Sequence, residues 1–159
     1  MRQDFDPPAG SRHSLCRAQA SAHDPQAVEK LLKDLGNTPM SLVILFVSPD
    51  TDFGAFVSRF RAHFLDTDVV ACTTAGEIGA GGYVEGEVIA TGFPADHFVS
   101  TSILVEGLTD QTSQGVIDRI AQALVALQEQ HEDKPQGFAF LAIDGLSLRE
   151  DTLTSLIAP

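Results

Sequence analysis

A chain of 159 residues, 43% hydrophobic and 20% charged, suits one soluble globular domain with a sizeable core. Ten Lys and Arg against 22 Asp and Glu leave a net charge of −12 with no basic cluster, which argues against nucleic-acid binding and for solubility or docking to a basic partner face. No CxxC, HxxxH or HExxH spacing supports a zinc site, no apolar core of a signal peptide opens the chain, and the longest apolar run, Leu42–Val47, is too short for a bilayer, so a cytoplasmic address is expected.

Residues 1–12 carry Pro7, Pro8 and Gly10 and read as a loose tail, with the folded domain at 13–159. Ser14–Ala22 reads either as a first strand or as irregular chain. Asp24–Pro25 opens a helix in which Ala27, Val28, Leu31, Leu32 and Leu35 share one face, and Gly36–Asn37 stop it. Ser41–Ser48 is a continuous apolar strand of the kind covered on both faces. A second helix from Asp50 repeats Phe53, Phe56, Val57, Phe60 and Phe64 at helical spacing. That stripe fits a core-facing helix better than the wall of a pocket for a flat ligand.

Val69–Cys72 reads as a buried β-branched strand, so strand, helix and strand from 41 to 72 form a parallel βαβ unit. It empties into Thr73–Thr74–Ala75–Gly76–Glu77–Ile78–Gly79, with Gly81, Gly82 and Tyr83 behind, a side-chain-poor bend where backbone amides can approach a ligand or partner. Glu87–Phe93 and His97–Val105 alternate about Pro94–Ala95–Asp96 and predict a hairpin. A helix over Thr109–His131, a strand over Phe138–Ile143 and a capped helix from Ser147 complete the chain. The order αβαβββαβα gives an α/β (mixed α+β) fold, a central mixed β-sheet with helices packed on it. The apolar stripe of the last helix, barely three turns before Pro159, predicts completion by another chain or a missing half.

Leu45–Phe46–Val47–Ser48–Pro49, Cys72–Thr73–Thr74–Ala75–Gly76–Glu77–Ile78 and Gly82–Tyr83, extended by Asp24–Pro25 and by Leu141–Ser147, resemble the N-terminal half of FIST sensory domains. The similarity spans roughly residues 11 to 157 and is closest to the NosP-like branch of bacterial haem proteins that sense nitric oxide. The resemblance implies a non-catalytic intracellular sensory domain. It would bind haem or another small ligand and regulate a signalling enzyme such as a histidine kinase, a diguanylate cyclase or a cyclic-di-GMP phosphodiesterase, with a homodimer also allowed. The family's domain continues beyond the point where this chain stops. The alternative is a protein-interaction or scaffold domain without a small ligand.

The candidate ligand-binding residues are Thr73, Thr74, Ala75, Gly76, Glu77, Gly81, Gly82 and Tyr83. Thr73 and Thr74 serve a ligand or cap the loop with equal weight. Glu77 meets a ligand amine, or pairs with an arginine or loop amides, the structural role being slightly favoured. Haem needs an axial ligand and an apolar slot. Of the five histidines, His63 beside the Phe stripe and His97 opening a strand are preferred as ligands, although for each a solvated role outweighs ligation. No histidine is carried over from the family's motif. Cys72 reads as an inert buried thiol rather than a nucleophile. The bend is not GxGxxG, so the signal for dinucleotide binding is weak, and no GxxxxGK[ST] occurs, which removes the P-loop.

Overall fold

The structure, a computed structural model, describes residues 15–79, 82–106 and 113–144 together with Asp151 and Thr154. The elements in chain order are β1 (Cys16–Ser21), α1 (Ala27–Leu35), β2 (Met40–Val47), α2 (Phe53–Arg61), β3 (Asp68–Thr73), β4 (Glu77–Gly79), β5 (Gly82–Val84), β6 (Glu87–Pro94) and α3 (Ser113–Gln130). They build a mixed four-stranded sheet in the order β1-β6-β2-β3 and a small β4–β5 ribbon. The mixed α/β class expected from the sequence is the class observed.

β2 and β3 pair in parallel, Val43 against Val69 and Leu45 against Ala71, as the βαβ pattern requires. Alternate residues of each strand then face the helices. Val43, Leu45 and Val47 of β2, Val88 and Ala90 of β6, and Ala18 and Ala20 of β1 join Leu31 and Leu35 of α1 and Phe56 and Phe60 of α2 in one buried core. The small alanines of β1 let α1 lie close to the sheet. The Phe53–Phe64 stripe belongs to this core: Phe60 is fully buried and its ring stacks on Phe64 at 5.0 Å. Asp52 caps α2, its Oδ1 accepting from the Ala55 amide at 3.1 Å. Asp24 does not cap α1. Its Oδ1 accepts from the Gln26 amide at 2.8 Å and closes the turn before the helix, and Gly36 at φ 80° ends α1.

One open reading is settled and three further expectations are corrected. Ser14–Ala22, left open, contains a true strand, because Cys16–Ser21 pairs antiparallel with Glu87–Gly92 of β6. That pairing rules out the hairpin of 87–93 with 97–105. β6 already has β1 on one side and β2 on the other, so no edge is left for a third strand. The 97–105 segment is tied across the sheet end instead, the Ser100 hydroxyl donating to the Ser41 carbonyl at 2.9 Å and the Ser102 hydroxyl to Asp68 at 2.8 Å. Residues 138–143 are not a strand either: the Phe138 ring lies 6.1 Å from Phe93 and the Phe140 ring 6.1 Å from Phe46, against the sheet face turned away from α1 and α2. Finally, β3 is half-buried rather than buried, because it is an edge strand. The tail at 1–12 and, apart from Asp151 and Thr154, the helix expected from Ser147 lie outside the described residues.

Candidate functional site

Because β1, β2 and β3 run the same way and β6 runs against them, four turns meet at one end of the sheet. Backbone bonds knit them together: Ala22 N–H to Gly86 O at 2.8 Å, Ser48 N–H to Glu87 O at 3.1 Å, and Thr74 N–H to Val47 O at 3.2 Å. The carboxyl ends of parallel strands are where open α/β sheets hold ligands, since loops there carry free amides and few core duties.

The bend after β3 is more structured than its composition suggested. β4 and β5 pair antiparallel, Glu77 against Val84 and Ile78 against Tyr83. The alternation this imposes turns Glu77 inward and leaves it 3% exposed, whereas Ile78 and Tyr83 stand on the outer face at 76% and 67% exposed. Two of the glycines serve internal approach. A Cβ on Gly76, at φ 149°, would sit 2.2 Å from the Tyr83 hydroxyl, and one on Gly79 would sit 2.6 Å from the Gln19 side-chain oxygen. The Tyr83 hydroxyl donates to Glu85 at 3.0 Å, with the Ala75 carbonyl at 3.3 Å. The hydrogen bond to Glu85, then the charge of Glu85, burial and the charge of Glu77, raise the phenol above its ordinary pKa of 10.0.

Among the described residues Glu77 has neither of the structural partners considered for it, an arginine or loop amides. Its Oε1 accepts from the Thr74 hydroxyl, and its buried Oε2 has no hydrogen-bond partner. The other buried side-chain atom in that condition, among the described residues, is Thr51 Oγ1, in the loop after β2 at the same sheet end. An unpaired buried polar atom costs about 1–3 kcal/mol, and more when charged. Both such atoms therefore fall at the end of the fold suited to a ligand.

Of the predicted site residues, Thr73, Thr74, Ala75, Gly76, Glu77, Gly82 and Tyr83 are brought together here, and Gly81 lies outside the described residues. Gly82 is held at φ 114° with open space where a Cβ would point. His63 and His97 are not brought here. His63 follows α2 and His97 follows β6, so both stand at the opposite sheet end, where Thr67 donates to the Met40 carbonyl at 2.9 Å and the Ala95 amide to Pro39 O at 2.9 Å. His63 is exposed, its Nδ1 3.1 Å from the Arg59 carbonyl. Cys72 is half-buried, and desolvation pushes its thiol up, away from the thiolate a nucleophile needs. Among the described residues no cluster of three or more His, Cys, Asp or Glu side chains is arranged to hold a metal, and no helix is long and apolar enough to cross a membrane.

Thr51 and its neighbour Asp50 were missed from the sequence. Their signal was the position of Ser48–Pro49–Asp50–Thr51 directly after a buried parallel strand, which puts that loop beside the glycine bend. Compared with known protein families, residues 41–158 match the model of the FIST N domain. No curated protein and no solved structure matches the chain.

Proposed function

Because this chain belongs to the FIST N family of sensory signal-transduction domains, we propose that it senses a small molecule at the sheet end built from Thr74, Glu77 and Tyr83 and passes the bound state to a partner signalling enzyme. The observation that carries the reading is the buried, half-satisfied carboxylate of Glu77 in a glycine-bounded turn at the carboxyl end of a parallel strand pair. The domain acts without catalysis in this reading, and its partner is a histidine kinase or a cyclic-di-GMP enzyme in the cytoplasm.

Haem with nitric oxide as signal is the narrower version, and its support is the family resemblance. Around His63, one of the two preferred histidines, the residues do not fit a porphyrin as arranged here: Phe60 and Phe64 stack on one another against the core beside the exposed imidazole. Purification with haem supplied tests it, and a Soret band at stoichiometric haem that disappears in His63→Ala or His97→Ala would establish it.

The second reading, an interaction domain without small ligand, is favoured by one observation: Phe138 and Phe140 are exposed beside the sheet face that α1 and α2 leave uncovered. A small-molecule screen by thermal shift and amide NMR separates the two. A ligand at 100 times its Kd should stabilise the domain by about 2.7 kcal/mol, and its perturbations should centre on residues 74–84. Perturbations centred elsewhere, or a partner complex formed with no ligand effect at all, would favour the second reading.

A further inference from the structure

Apart from the turn after β1, where Lys30 pairs with Asp24, the charged side chains of the loops at the Glu77 end of the sheet have one sign. The loop after β2 carries Asp50 and Asp52, the ribbon and the turn into β6 carry Glu77, Glu85 and Glu87, and neither 48–52 nor 73–87 contains a Lys or Arg. In the turn after β1, His23 stands with its Nε2 3.9 Å from Asp50, both side chains exposed. Glu77 is the buried member of this set, with Oε1 taken by the Thr74 hydroxyl and Oε2 unpaired.

An anion brought to this end would meet five carboxylates. A hard metal ion needs several oxygen ligands in a closed shell, and no cluster of three or more metal-ligating side chains exists among the described residues. An N–H donor that carries positive charge meets both demands, because charge-assisted N–H to carboxylate bonds are short and about twice as strong as neutral ones. Resting on the sensor reading above, we propose that Glu77 Oε2 is the recognition point for a small organic cation bearing N–H donors, a primary ammonium or a guanidinium. The Thr74 hydroxyl orients the carboxylate for it. Thr51 Oγ1, in the loop after β2 at the same sheet end, is the other buried side-chain atom without a partner among the described residues and would serve the rest of such a ligand. Entry requires the 74–77 turn or the paired 82–84 strand to shift, and Gly76 and Gly82, both at positive φ, supply the backbone freedom.

The test is an amide NMR titration of the full chain with four probes of similar size: n-butylammonium, n-propylguanidinium, pentan-1-ol and butyrate. The cations should shift resonances of residues 74–84 at concentrations where the alcohol and butyrate do not, and Glu77→Gln should weaken that binding at least tenfold with the rest of the spectrum unchanged. Equal binding to Glu77→Gln, or preference for butyrate, overturns the proposal. Should Glu77→Gln not fold, the wild-type preference for butylammonium over pentan-1-ol decides alone. A neutral or anionic molecule that shifts 74–84 leaves the sensor reading standing and removes the cation; no response at 74–84 to any ligand removes both.

Discussion

Gly76 and Tyr83 hold one another in place, and each makes a measurable claim. Alanine at 76 would force a Cβ into the Tyr83 ring and strain a backbone at φ 149°, so Gly76→Ala should lose about 1–3 kcal/mol in urea unfolding. Adding Tyr83→Ser should recover part of the loss, because the atoms met are that side chain. Tyr83 is the chain's one tyrosine, and there is no tryptophan, so its ionisation can be followed by absorbance without interference. Its folded pKa is raised above the unfolded value, so the contribution it makes to stability is present below pH about 10 and lost as pH rises through the higher folded value. The native midpoint should exceed that in urea, and Glu85→Gln should bring it back down, since Glu85 is the main cause. The sequence made this bend conspicuous through its glycines, but it could not say that two of them admit Tyr83 and Gln19. That depends on ribbon pairing and on β1 lying nearby. The inward turn of Glu77 was likewise hidden until its strand register was known.

At the scale of elements, the stop of α1 was readable from Gly36–Asn37, whereas Asp24 proved not to be its cap and the start of α2 read at Asp50 falls on Asp52 and Phe53. Gly36 ends α1, and Asp52 caps α2. Replacing Asp52 by Ala should cost about 0.5–2 kcal/mol, read as a lower urea midpoint at unchanged slope. The aromatic stripe of α2 was also assigned to the correct side, since four-residue spacing leaves no other face for Phe56 and Phe60. The failures came where alternation alone was used to pair strands. A run such as His97–Val105 has the period of a strand, but pairing is decided by which edges remain free. β6 had lost both of its edges to β1, about 70 residues earlier in the chain, and to β2. Phe138–Ile143 failed for a related reason, its rings being used across a sheet face rather than its backbone along a sheet edge.

Across the whole molecule the sheet has two unequal faces. The one under α1 and α2 is closed by aliphatic and aromatic side chains, whereas the other carries Ile44, Ile89 and Phe93, with the Phe138 ring 6.1 Å from Phe93 and 71% exposed. That side should bind a hydrophobic dye such as ANS in the native state. Phe138→Ser should lower the signal while leaving the unfolding midpoint nearly unchanged, because an exposed ring contributes little burial. A signal untouched by that substitution would locate the adhesive surface elsewhere.

The antiparallel seam between β1 and β6 has a consequence for where the cooperative unit begins. The family match starts at residue 41, but the strand and helix before it are built into the same core. A fragment trimmed to the matched residues would turn an interior strand into a naked border and unroof Val43, Val88 and Ala90 at one stroke. Such a fragment should stick to copies of itself through that border, visible as light scattering that the same chain begun at residue 15 does not produce.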